Sequence, residues 1–211
     1  MEILINSNFK IGKSISQYSN LDIEQEPMFF SCDVDYAFKN GGPITKEFLQ
    51  LTNQDGIFDS RSHMLMKGWY PCIPGWHHDD VPRNTSSGQP NYFDPEYKAD
   101  HCLALINGDI CPTNFAIGDE IFVIPDIEKT VVYEEWDKKV NELIASGKLK
   151  LEKVPSNKLV YFNWMTFHEG TQAVKDGWRW FGRLSWNTHR KIENKIRKQV
   201  QVYLEFPKKG W

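Results

Sequence analysis

This 211-residue chain has no CxxC pair, no apolar run approaching 18 residues and no surplus of basic charge. Each absence removes a class of protein. Four cysteines (Cys32, Cys72, Cys102, Cys111) at spacings that match no zinc or redox motif are expected to be reduced thiols, as in an intracellular protein. Without a long apolar run, no transmembrane helix and no membrane partner are expected. Lys and Arg number 25 against 28 Asp and Glu, so no general field draws the chain to nucleic acid. The tail at 188–198 is locally basic and reads as a solvated connector, with a phosphate-backbone contact as the disfavoured alternative. The first residues lack the basic and apolar regions of a signal peptide. Repeats, low-complexity tracts and linkers are missing too. The expectation is a cytoplasmic protein with one domain over 1–211.

Aromatic residues, by contrast, are plentiful at 14% with eight Trp, which suits a β-rich core or a pocket for planar groups. Residues 1–60 read as a mixed, partly helical support, with a possible strand at 28–34 and a short helix at 45–52. From Ser62 to Phe206 the pattern becomes short strands separated by turns: 63–70, 102–107, 115–124, 158–164, 168–174, 178–186 and 199–206. One helical excursion near 132–146 carries Trp136, Val140, Leu143 and Ile144 on one face, with Gly147 at its C-terminal end. Such a series predicts a mainly β fold with supporting helices, a double-stranded β-helix of the cupin-type jelly-roll kind.

The densest chemistry is His77-His78-Asp79-Asp80, preceded by Pro74-Gly75-Trp76 and followed by Pro82. At a strand end, residues two apart share a face. Either His77 with Asp79 or His78 with Asp80 then offers an imidazole and a carboxylate to one metal ion. His168, after the strand-like 158–164, is the candidate third ligand. His63, His101 and His189 read as packed or solvated residues. Two histidines and one carboxylate leave three coordination positions open, the arrangement of non-haem Fe(II) oxygenases.

In 178–186 the alternation places Arg179, Phe181, Arg183 and Ser185 on one face and Trp178, Trp180, Leu184 and Trp186 on the other. An arginine inside a barrel needs an anion, and its planar fork fits a carboxylate. The bland alternative, an exposed arginine stacked beside tryptophan, fits Arg179 better than Arg183. The polar loop at 83–100 is a candidate substrate contact, and Trp76, Arg83 and Trp164 are the substrate-side candidates, although such tryptophans are more often core.

The order His77-x-Asp79, His168, Arg183-x-Ser185 resembles the Fe(II)/2-oxoglutarate-dependent dioxygenases over about 70–186, just over half of the chain. The resemblance favours His77 and Asp79 over the shifted pair. It implies a jelly roll, Fe(II) held by His77, Asp79 and His168, and 2-oxoglutarate chelating the metal. It also implies that Arg183 and Ser185, with Tyr70 on the preceding strand, hold the far carboxylate of 2-oxoglutarate. The implied partners are 2-oxoglutarate, O₂ and a small-molecule substrate that is hydroxylated or oxidatively demethylated, with succinate and CO₂ as co-products. The alternatives are a metal-binding cupin-like protein without oxygenase activity and, from the His78-Asp79 doublet, a metal-dependent phosphohydrolase.

Overall fold

In the computed structural model, which describes residues 1–94, 98–127 and 129–204, the strands form two large antiparallel sheets packed as a sandwich and a separate two-stranded pair. The elements in order are β1 (Glu2–Ser7), β2 (Phe9–Ser14), α1 (Asn20–Gln25), β3 (Met28–Phe30), β4 (Cys32–Asp33), α2 (Val34–Asn40), α3 (Pro43–Thr52) and β5 (Ile57–Leu65). They continue with β6 (Asp100–Ile106), β7 (Thr113–Val123), α4 (Val132–Ala145), β8 (Lys150–Lys153), β9 (Lys158–Asn163), β10 (Phe167–Gly170), β11 (Gly177–Trp186) and β12 (Lys195–Arg197). The larger sheet runs β2-β9-β6-β11-β5-β4. The smaller runs β1-β7-β10, with β8 also on β7. This is the mainly β, jelly-roll sandwich that the strand pattern predicts. No described helix is long and apolar enough to cross a membrane.

Strand β6 shows why helices cover the outer face of the larger sheet. Its sequence after Asp100 and His101 is unbroken Cys-Leu-Ala-Leu-Ile, and every one of these residues is buried. A strand covered on both faces has no polar side to alternate with. Leu103 and Leu105 point between the sheets, against Phe115, Val160 and Phe162. Cys102, Ala104 and Ile106 point the other way, into a cluster with Ile23, Ile44 and Phe48 from α1 and α3. On the same outer face Trp180 lies against Phe48, ring centroids 5.8 Å apart. Gly182 makes room for it: a Cβ there would stand 2.1 Å from the Trp180 ring. Helix α4 packs Trp136, Val140 and Leu143 onto Ile5, Phe122 and Phe167 of the smaller sheet. Its last turn closes on Gly147 in the left-handed conformation, φ +73°, where glycine is favoured.

Three expectations need correction. The first 14 residues hold two strands, one in each large sheet, and the helices of the N-terminal support fall within 20–52, with the short strands β3 and β4 between α1 and α2. β2 was hidden because Lys10, Gly12 and Lys13 dilute its apolar signal at a sheet edge. The strand expected at 63–70 lies further back: β5 ends at Leu65 and a turn at 67–68 follows. The strand expected at 199–206 is replaced by β12, which pairs with β3. Of that stretch, 205–206 lie outside the described residues, and Tyr203 forms one bridge to Tyr70.

Candidate metal centre and the arginine wall behind it

His77 is joined to β10 by a pair of backbone hydrogen bonds, each residue's N–H donating to the other's carbonyl, with His168 as the partner at 3.1 Å. A pair opposed in this way projects both side chains from the same face of the sheet. Their ring centroids are 4.4 Å apart. Asp79, two residues on, returns to that face. The ligating atoms of His77, Asp79 and His168 all lie within 4.8 Å of one another. His168 Nε2 is 3.1 Å from Asp79 Oδ2.

The register is decided by what the other two residues do. His78 turns to the opposite side, where its Nδ1 meets Tyr92 Oη at 2.9 Å and its ring lies on Phe167, centroids 4.0 Å apart. Tyr133 donates to the His78 carbonyl. Strict alternation would send Asp80 after His78. Instead Asp80 has φ +58°, a left-handed turn that breaks the strand and brings its carboxylate back toward Arg183 and Arg190. The His78-Asp79 doublet of a phosphohydrolase therefore does not converge on one site.

Each ring is backed by a carbonyl. His77 Nδ1 faces the Gly75 carbonyl at 2.9 Å, and His168 Nδ1 faces the Thr166 carbonyl at 3.0 Å. With a metal bound, a proton on each Nδ1 would leave Nε2 free to ligate it, the arrangement that orients metal-ligating imidazoles. Burial, then the neighbouring His168, pushes His77 down to about 3, so it stays neutral at pH 7. Burial opposes ionisation of Asp79, but Arg183 and then His168 outweigh it, and its carboxyl titrates well below the usual range. Two imidazoles and a carboxylate form a donor set that fits Fe(II).

Beyond the cluster lies a cavity of about 450 Å³. Its floor is one face of β5 and β11. Cross-strand pairing sets Asp59 opposite Arg183, Arg61 opposite Phe181 and His63 opposite Arg179. Arg183 sits directly on Asp79 and also reaches Asp80 (3.4 Å) and Asp59 (3.8 Å). Burial disfavours its charge, but those three carboxylates raise its pKa. Arg190 and Arg197, from the tail expected to be a solvated connector, turn inward to Asp59 at 2.6 and 3.6 Å.

Arg179 is different. It is fully buried, lines the same cavity, and among the described residues has no carboxylate partner. Nη2 donates to Thr113 Oγ1 at 3.0 Å, and Nε has no partner. Burial lowers its pKa without a carboxylate to oppose it. His63 beside it, pushed by burial to about 3, is neutral.

The remaining expected residues are placed as follows. Ser185 is fully buried and its Oγ meets His101 Nδ1 at 2.9 Å, so it serves that histidine rather than an anion beside Arg183. Tyr70 pairs through its backbone with Tyr203, and Tyr203 is the tyrosine that lines the cavity. Trp76 is core: it packs with Trp136, and its Nε1 donates to Asn141 on α4 at 3.1 Å. Trp164 is half-buried against that same cluster. Arg83 donates to the Gly88 carbonyl and lies over the Tyr133 ring, in a shallow surface groove with Asp80 and Asn84. Sequence reasoning missed Asp59, Arg61, Thr113, Arg190 and Arg197. Only the alternation of Asp59, Arg61 and His63 along β5 signals any of them.

The fold and cluster thus define a jelly-roll β-sandwich carrying a His–Asp–His group able to hold one metal ion. No protein-family model and no curated protein matches the chain. Among solved structures, it is similar to the crystal structure of HygX from Streptomyces hygroscopicus with iron bound. The identity is 11%, the match covers 85% of this chain and 82% of that one, and the TM-score is 0.36. At that level the functional reading rests on the chain's own residues.

Proposed function

We propose that the protein is an Fe(II)- and 2-oxoglutarate-dependent oxygenase that hydroxylates or oxidatively demethylates a small molecule, releasing succinate and CO₂. The observation that carries it is one cavity with a His–Asp–His cluster on its wall and a buried, carboxylate-free arginine in its floor. His77 and His168 would hold the metal through Nε2, and Asp79 through its carboxylate. Bound iron and 2-oxoglutarate together supply the activation of O₂.

The chain's own residues do the rest. Arg183 clamps Asp79 and so fixes the carboxylate that the metal needs. The far carboxylate of 2-oxoglutarate fits Arg179 better than Arg183, because among the described residues Arg183 already faces three carboxylates and Arg179 faces none. Thr113 Oγ1 accepts from Arg179 and keeps its own proton to donate to the same anion. The rings of Phe30 and Phe181 line the cavity and exclude water from one side.

The test is succinate formation from 2-oxoglutarate that requires both Fe(II) and O₂ and stops in His77→Ala and Arg179→Met. Calorimetry with Mn(II) gives an independent readout. If the wild-type chain with Mn(II) binds neither 2-oxoglutarate nor N-oxalylglycine, the proposal is wrong.

A further inference from the structure

The cavity holds more positive charge than a metal and 2-oxoglutarate would use. Five arginines line it (Arg61, Arg179, Arg183, Arg190, Arg197). Against them stand Asp59 and Asp79 in the lining, and Asp80, which reaches Arg183 and Arg190 from just outside. Among the described residues, these guanidiniums and carboxylates alone leave a surplus of two positive charges. A divalent metal would add two charges and 2-oxoglutarate would remove two. The surplus is unchanged when both are bound. Partly desolvated arginines of like sign repel unless an anion joins them.

The surplus has an address. Arg183 is taken by Asp79 and Asp80, and Arg190 by Asp59. Arg197 reaches the other oxygen of Asp59 only at 3.6 Å. Arg61 has no carboxylate partner among the described residues. Burial first, and the Arg61 charge second, push the Arg197 pKa down, so the two guanidiniums feel each other across the cavity. Both are preset by aromatic rings: Arg61 lies over Phe181 at 5.9 Å and Arg197 over Phe30 at 4.4 Å. A guanidinium placed over a ring can still donate its N–H groups to a planar or tetrahedral oxyanion.

Resting on the oxygenase function proposed above, we propose that the substrate is a small molecule bearing an oxyanion group, carboxylate or phosphate, held by Arg61 with Arg197 beside it. Arg179 and Arg61 thus divide the work. Arg179 lies deep, next to Thr113, and serves the co-substrate. Arg61, part-exposed and opposite Phe181, serves the substrate. The cavity volume of about 450 Å³ suits a small molecule once the co-substrate is seated.

Calorimetry on the full chain with Mn(II) and saturating N-oxalylglycine tests this, with benzoate and phenyl phosphate as probes and benzamide as the neutral control. At least one anion should bind about tenfold or more tightly than benzamide, the effect of one charge-assisted pair. Which anion binds better decides between a carboxylate and a phosphate. Arg61→Gln should remove that preference, Arg61→Lys should keep most of it, and neither should change N-oxalylglycine affinity. Equal binding of benzamide and the anions, or no anion binding, overturns the proposal without any variant, so it stays testable if Arg61→Gln does not fold. Wild-type behaviour of a folded Arg61→Gln overturns it too. Failure of the oxygenase reading looks different: N-oxalylglycine would not bind, while probe binding that depends on Arg61 and ignores Arg179→Met would stand.

Discussion

The guanidinium of Arg183 rests on the carboxylate of Asp79, the one acidic member of the His–Asp–His cluster. Asp80 and Asp59 complete its surroundings at 3.4 and 3.8 Å. Arg183→Met would leave three carboxylates without their shared cation. Removing one partner of a buried ion pair costs about 3–5 kcal/mol. Urea unfolding should show a loss of that size, and a variant as stable as wild type would contradict the buried network.

Arg179→Met should behave in the opposite way. It removes a buried cation that has no carboxylate, so stability should hold or rise. Affinity for 2-oxoglutarate in the presence of Mn(II) should fall at least about thirtyfold, the loss expected when one partner of a buried charge pair is truncated. If Arg183→Met, once its stability loss is allowed for, shows this binding defect and Arg179→Met does not, the two roles are reversed.

The choice of register can be read by metal titration. His77→Ala and His168→Ala should each weaken Mn(II) or Co(II) binding by more than about a hundredfold, beyond the cost of losing an outer hydrogen-bond partner. His78→Phe should leave metal affinity as it is, because His78 faces Tyr92 and Phe167. Loss of metal in His78→Phe would point to the shifted pair.

Acid should destabilise the metal-free protein early. Burial holds His63 at about 3, His101 at about 4 and His78 well below its ordinary value. In the unfolded chain each titrates near ~6.5. Between those values the unfolded state binds more protons, so stability present above pH ~6.5 is lost as pH falls toward 4. Each histidine contributes up to about 1.4 kcal/mol per pH unit, and the three together about 4. Urea midpoints at pH 7, 6 and 5 measure the slope. A flat profile would mean that these rings are not buried as neutral groups.

Trp76→Phe separates core from site. It deletes the indole hydrogen bond to Asn141 and some contact with Trp136, so stability should drop by about 1–2 kcal/mol. Affinity for N-oxalylglycine should not change. A selective loss of ligand binding would return Trp76 to the substrate side.

Much of the architecture is local in origin and therefore legible in the residues. The apolar run of β6, the alternation of β11 and the amphipathic face of α4 with Gly147 behind it each state their own structure. A two-residue period offered His77 with Asp79 and His78 with Asp80 alike, and the left-handed turn at Asp80 breaks the second pair. The early strands were harder to see. β1 and β2 carry mixed residues, and strand identity there comes from pairing with β7 and β9 rather than from propensity.

By itself the sequence offered two registers, His77 with Asp79 or His78 with Asp80, and set Arg179 and Arg183 on one face of a strand. It could not say which arginine is spent on carboxylates. The partners of an arginine come from other strands: Asp59 from β5, Asp79 and the turned-back Asp80 from the segment before β6, and for Arg179, among the described residues, Thr113 from β7. Burial with partners makes Arg183 a structural clamp, and burial without them leaves Arg179 in need of an anion. Only the tertiary structure, which sets those distances, decided between them.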